Sequence, residues 1–177
     1  MELTIREIDK NNIHHANQCD SSFIVDSKLV LQAEDGKISY TVIAVPSYVK
    51  HYAREETDYS ASVSNMDKAV FFAYMGNDLA GHMRVMKYWN GYAYIDVVIV
   101  DAKHRRQGVG YALIERGIAW AKAKGFPGMM LETQNNNVAA CRFYASCGFE
   151  LRGFDTHLYK GSNPATDEIA LYWYLIF

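Results

Sequence analysis

Asp96-Val97-Val98-Ile99-Val100-Asp101-Ala102-Lys103-His104-Arg105-Arg106-Gln107-Gly108-Val109-Gly110-Tyr111-Ala112-Leu113 is the stretch on which the reading of this chain turns. The β-branched run Val97 to Val100 predicts a strand covered on both faces. From Leu113 onward the pattern is helical, because Leu113, Ile114, Ile118, Trp120 and Ala121 recur at three- and four-residue steps. Between strand and helix lies a basic turn. Gly108 and Gly110 carry no Cβ there, so a ligand can come within hydrogen-bonding distance of the main chain. A helix N-terminus with outward N–H groups, flanked by Arg105 and Arg106, suits a phosphate or pyrophosphate.

The rest of the composition sets bounds. A chain of 177 residues, half of them hydrophobic and 21% charged, predicts one globular domain with a real core. A net charge of −2 gives no general attraction to nucleic acid. No apolar run is long enough to span a bilayer, and Met1 to Glu7 lacks the shape of a signal peptide, so a cytoplasmic protein is expected. Cys19, Cys141 and Cys147 form an odd set without C-x-x-C spacing, which reads as reduced thiols. The histidines show no metal-binding spacing, and His104 beside the basic turn reads as solvated.

Taken in order, Leu3 to Ile8 alternates like a strand, and Asp9 to Asp20 reads as a helix with Asp9 as N-cap. Ser27 to Gln32 and Lys37 to Val45 read as short strands joined at Asp35-Gly36 and ended by Pro46. Ser47 to Asp58 reads as helix or loop. Ala69 to Met75, Leu79 to Tyr88 and Tyr92 to Val100 form an antiparallel meander. After the glycine loop come a helix to about Lys124, a strand at Met129 to Thr133, and a helix at Asn137 to Cys147 with Gly148 as its C-cap. Phe149 to Leu158 and Ile169 to Ile176 are closing strands. The order predicts an α+β fold: a single domain over residues 1–177, with a mixed, mostly antiparallel sheet and helices on both faces.

The glycine pair alone is unspecific. It lacks the third glycine of the dinucleotide fingerprint and the Gly-Lys-Ser/Thr ending of a P-loop. Arg105-x-x-Gly108-x-Gly110 after an apolar strand nevertheless resembles the acetyl-CoA signature of the GNAT N-acetyltransferases. Asn137-x-x-Ala140-x-x-Phe143-Tyr144, followed by Cys147-Gly148-Phe149, resembles the second landmark of that family. Trp89 to Ile95, Leu131 to Cys141 and Ala170 to Tyr174 narrow the resemblance to the streptothricin acetyltransferases.

That resemblance implies an acyltransferase using acetyl-CoA, with direct attack of a primary amine on the thioester. It places the pyrophosphate on Arg105, Arg106, Gln107, Gly108, Val109, Gly110 and Tyr111. The thioester and pantetheine fall to a splayed strand at Val98, Ile99 and Val100, and Asn137 and Tyr144 add cofactor contacts. Tyr144 matches the tyrosine that protonates the leaving thiolate in many members. Asp96, a carboxylate inside an apolar strand, reads as general base or as an ion-paired strand residue; the relatives commonly have Glu here with a second acid beside it, where this chain has Val97. Glu132 is the reserve acceptor. Asn137 also reads as a helix N-cap, and Tyr144 as a packed aromatic.

The implied substrate is the β-lysine amine of streptothricin. A polycation needs carboxylates, and Glu55, Glu56 and Asp58, with Asp26 and Glu132, are the candidates; as single residues each also reads as a solvated charge. Other readings are an acetyltransferase for a polyamine, an aminoglycoside or a protein amino group, and an acetyl-CoA-binding module without catalysis. The implied partner is a small-molecule amine, with a homodimer open and neither nucleic acid, membrane nor metal expected.

Overall fold

The computed structural model describes residues 2–51 and 58–177. Its strands in chain order are β1 (Leu3–Glu7), β2 (Phe23–Glu34), β3 (Lys37–Lys50), β4 (Lys68–Met75) and β5 (Asp78–Lys87). Then come β6 (Ala93–Val100), β7 (Gly128–Gln134), β8 (Glu150–Asp155) and β9 (Ala170–Ile176), with helices α1 (Val109–Ala123) and α2 (Val138–Ser146). The chain divides into two compact units, one of residues 1–23, 51–129 and 177, the other of residues 24–50 and 130–176.

In the first unit β1, β4, β5 and β6 lie in that order, each antiparallel to the next. The expected meander is present. α1 packs on these four strands through Leu113, Ile114, Gly117, Trp120 and Ala121. β4 is buried on both faces, from Ala69 to Tyr74. Val70, Phe72 and Tyr74 form one core with Ile8 and Tyr59, and Ile13, Ala16, Val63 and Leu79 pack against it. Burying a side chain such as Phe72 contributes about 2 kcal/mol.

The helix expected over Asp9 to Asp20 is reduced to a 3-10 turn at Ile13–His15. Local side-chain bonds compete with the helical ladder. Asp9 Oδ1 accepts the N–H groups of Asn11 at 2.7 Å and Asn12 at 3.0 Å, and Asn12 Oδ1 accepts that of Asp9 at 2.8 Å. Asn17 then adopts a left-handed φ of 65°, which ends the turn.

In the second unit β2 and β3 form a two-stranded ribbon, and β7, β9 and β8 are neighbours in that order. The ribbon is longer than the expected short strands. Asp35 and Gly36 both have positive φ, 49° and 74°, as a tight hairpin turn requires. Pro46 lies inside β3 instead of ending it, and Ser47 to Lys50 are strand. A strand with one neighbour has N–H groups that its ladder does not use, so proline is tolerated there. β8 stops at Asp155, short of the expected Leu158, because Asp155 Oδ1 accepts the N–H groups of His157 and Leu158 and turns the chain. Leu158 opens a 3-10 turn that runs to Gly161.

His82 on β5 is buried in the first unit, its Nε2 3.3 Å from the Tyr59 hydroxyl. Burial, with a smaller effect of the Arg84 guanidinium, pushes its pKa down from 6.5 to about 4. The native state therefore binds this proton less readily than the unfolded chain. The stability tied to neutral His82 is whole above pH 6.5 and falls as the pH drops toward 4. The loss is about 2 kcal/mol at pH 5. Thermal melts at about pH 7 and about pH 5, above and below the ordinary histidine pKa, should show the acid-induced fall of Tm shrinking in His82→Leu. An undiminished fall in the variant would place the acid sensitivity elsewhere.

Candidate functional site

The end of β6 and the start of α1 are tied down by short polar bonds. Asp101 Oδ1 accepts the N–H of Lys103 at 3.2 Å, and its Oδ2 accepts that of Asp20 at 3.1 Å. Arg105 donates from Nε to the Val100 carbonyl at 3.2 Å and from Nη2 to those of Ser22 at 2.6 Å and Asp20 at 3.3 Å. Its guanidinium thus fastens the 20–22 segment to the loop as well as placing a charge there. The Gln107 side chain turns back to the Lys103 carbonyl. His104 is buried in the 3-10 turn Ala102–His104, not solvated as its sequence neighbours suggest.

The loop has the shape an anion needs. Arg106 and Gly108 both have left-handed φ, 63° and 84°. The first helical bond of α1 runs from the Ala112 N–H to the Gly108 carbonyl, so the N–H groups of Val109 and Gly110 lie ahead of the ladder. A Cβ placed on Gly108 would meet no atom within 4 Å, so the space before the loop is open. Open space, outward N–H groups and a helix N-terminus fit a pyrophosphate. Val109 is buried and Tyr111 half-exposed.

β6 carries a break in register. Arg84 lies opposite Val97 while Val85 lies opposite Ile95, which leaves Asp96 as the extra residue of a bulge. This is a local distortion of the kind the resemblance implies, two residues before Val98. Val98, Ile99 and Val100 pair with Met83, His82 and Gly81. Asp96 Oδ2 accepts Arg84 Nε at 2.6 Å and also Arg84 Nη2. The same guanidinium sits 5.3 Å over the Tyr59 ring. Arg84 escaped the sequence reading, since only the β5–β6 register joins it to Asp96; Tyr59 reads in the sequence as an aromatic beside Glu55, Glu56 and Asp58, and only the fold sets it under Arg84.

Among the acidic candidates of this unit, Glu55 and Glu56 lie outside the described residues. Asp58 is bound at both oxygens by the N–H and hydroxyl of Ser60, which hold its carboxyl below the usual range. With His14, Gln18 and Tyr59 it lines a cleft of about 460 Å³.

In the second unit Asn137 caps α2, its Oδ1 accepting the Ala140 N–H at 3.2 Å. Val138, Cys141 and Tyr144 form the buried face of α2, and the Tyr144 ring stands edge-on to Phe149 at 6.1 Å. Cys141 here and Cys19 in the first unit are buried thiols, pushed up by burial to about 12. Glu132 accepts the Tyr159 hydroxyl, which in turn accepts Gln134 Nε2 at 2.9 Å. Burial raises the Glu132 pKa, opposed by Tyr159 and Lys50 and reinforced by Glu168. Tyr159, Lys50 and Glu168 also went unnoticed in the sequence, where nothing local links them. Asp26 is exposed and accepts the Ser27 hydroxyl. Among the described residues no helix is long and apolar enough to cross a membrane.

Residues 38–149 match the family model described as the acetyltransferase (GNAT) family. Streptothricin acetyltransferase A of Bacillus subtilis (strain 168) is 37% identical over 167 residues, covering 94% of this chain and 95% of that protein. A streptothricin acetyltransferase of Escherichia coli is 34% identical, covering 88% of this chain and 86% of that one. A Bacillus anthracis structure assigned as a streptothricin acetyltransferase, solved with acetyl coenzyme A, is 44% identical. It superposes with a TM-score of 0.93 over 100% of this chain and 98% of that one. A nourseothricin acetyltransferase structure, 29% identical, superposes with a TM-score of 0.81 over 99% of each chain. The α+β fold is shared with these proteins.

Gly108→Ala would keep open space around the new methyl group and strain only the backbone. The expected cost is about 1 kcal/mol, a fall in Tm of roughly 3 °C. A melt indistinguishable from the parent chain would show that the left-handed turn carries no such constraint.

Proposed function

This chain belongs to the acetyltransferase (GNAT) family, and we propose that it transfers the acetyl group of acetyl-CoA to the β-lysine amine of streptothricin. The observation that carries this reading is the whole-length likeness to streptothricin acetyltransferases, joined to a loop whose geometry suits a pyrophosphate. Residues 1–177 would act as one catalytic domain. The cytoplasm is the expected compartment, where buried thiols such as Cys19 and Cys141 stay reduced.

Bound acetyl-CoA supplies an acyl carbon made electrophilic by its thioester. The main chain from Arg106 to Tyr111 would hold the pyrophosphate, with Arg105 supporting the loop through the 20–22 segment. Val98, Ile99 and Val100 would offer strand edge to the pantetheine and carbonyl, and the bulge at Asp96 would turn that edge. Asn137 starts α2 and sets the position of Tyr144 two turns later. Tyr144 would hold a proton at its hydroxyl for the departing sulfur.

The substrate ammonium must lose a proton before it can attack. Two carboxylates can take it, directly or through water. Asp96 is fixed by Arg84. Glu132 has its proton affinity raised by burial, which makes it a stronger base than an exposed carboxylate. Glu55, Glu56, Asp58 and Asp26 would meet the remaining charges of a polycation.

Release of CoA thiol, followed over a panel of amines, tests the proposal. Turnover is expected with streptothricin and not with aminoglycosides or protein amino groups. Thiol release from another amine and none from streptothricin would overturn the substrate. Tyr144→Phe is expected to lower kcat on the order of 100-fold while the acetyl-CoA Kd, measured by calorimetry, holds. Unchanged turnover would remove Tyr144 from the chemistry.

A further inference from the structure

The second unit contains a charged cluster of which the reaction outlined above uses Glu132 alone. Lys50, the last residue of β3, places Nζ 2.6 Å from Glu168 Oε1, and both side chains are mostly buried, 15% and 22% exposed. The same Glu168 oxygen accepts Asn136 Nδ2 at 3.1 Å. Asn136 Nδ2 also donates to the Tyr48 hydroxyl at 3.2 Å. Glu132 feels both Lys50 and Glu168, and its own oxygen takes the Tyr159 hydroxyl. Among the described residues the two carboxylates thus share Lys50 as a common cation.

A second observation is independent of the charges. Asn136 is 7% exposed, and its Oδ1 is buried with no hydrogen-bond partner among the described residues. The orientation of the amide is not arbitrary, since the Glu168 carboxylate only accepts and so faces the NH₂ end. A buried acceptor left unmatched costs about 1–3 kcal/mol. It calls for an N–H or O–H donor, beside carboxylates that call for a cation.

The cluster is held from behind. Asn135 Oδ1 accepts the Ile169 N–H at 2.9 Å, and its Nδ2 donates to the Leu29 carbonyl at 3.2 Å. Its own main chain bonds Ile169 and Leu29 as well. The backbone next to Asn136 and Glu168 is therefore clamped, while Lys50 reaches in on a flexible four-carbon stem.

We propose that Glu168, Asn136 and Glu132 form a seat for a cationic nitrogen of the substrate, which Lys50 occupies as an internal stand-in until substrate displaces it. This rests on the reading of the chain as an acetyltransferase of cationic amines. It adds residues that determine which amines bind, and it makes Lys50 a competitor of the substrate.

The test pairs two variants with opposite expected signs. Glu168→Gln keeps the shape of the side chain and removes one charge. Its KM for streptothricin should rise about tenfold with kcat within about twofold, as for loss of one charge-assisted hydrogen bond. Lys50→Met empties the seat, and its KM should fall severalfold with the acetyl-CoA Kd unchanged. Calorimetry with 1,5-diaminopentane, without acetyl-CoA, reads the same seat: weaker binding in Glu168→Gln and tighter in Lys50→Met. KM moving the same way in both variants, or kcat falling with KM constant, would overturn the proposal in favour of a merely structural cluster. Thermal melts guard against misfolding, and Glu168→Asp, which keeps the charge, should recover diaminopentane binding if Glu168→Gln does not fold. Should the parent enzyme ignore streptothricin, the proposed substrate fails, and the diaminopentane titrations still decide the seat.

Discussion

The register break between β5 and β6 is the constraint around which the first unit is built. One extra residue in β6 has to be accommodated, and that residue is an aspartate. An unpaired carboxylate in such a strand would be costly, so Arg84 from the neighbouring strand meets it with two nitrogens. Arg84 in turn lies over Tyr59, and Tyr59 reaches His82 on β5. The bulge is thus held by a chain of polar and aromatic contacts anchored in the core. Beyond it, β6 runs on in register to Val100, whose carbonyl is gripped by Arg105 at the head of the glycine loop. The distortion and the loop belong to one short segment, with only Val97 to Val100 of β6 between Asp96 and Asp101.

The second unit solves a different problem. Several of its partly buried polar groups find partners through asparagine side chains. Asn135 bonds the chain at Leu29 and at Ile169, so two segments distant in sequence are held at one residue. Asn137 caps α2 and so fixes where Tyr144 begins its turn. Asn136, between them, has an acceptor left over. Three consecutive asparagines therefore do three separate things, and the middle one keeps an acceptor unmatched among the described residues.

Much of this was legible in advance because it is local. The meander, the two helices, their glycine stops and the turn at Asp35-Gly36 follow from periodicity and turn chemistry within a few residues. The glycine loop could be read because it needs adjacent residues of fixed type. The errors share a cause. The helix expected from Asp9 was lost to side-chain bonds among Asp9, Asn11 and Asn12, which periodicity does not register. Pro46 failed to end β3 because its effect depends on whether a strand has one neighbour or two. His104 read as solvated among basic residues, and a single 3-10 turn buried it.

By itself the sequence determined the α+β class, the place of the glycine loop and the family resemblance, since all three are carried by spacing along the chain. Tertiary structure alone decided the surroundings of Asp96, Glu132 and Glu168, whereas Asp58 and Asp26 are met by the neighbouring Ser60 and Ser27. Asp96 meets Arg84 across 12 residues, Glu168 meets Asn136 across 32, and Lys50 meets Glu168 across 118. Whether a carboxylate is solvated, ion-paired or raised in proton affinity depends on which charges fold back onto it and how much water they exclude. Neither quantity is a property of neighbouring residues, so no local pattern could have supplied it.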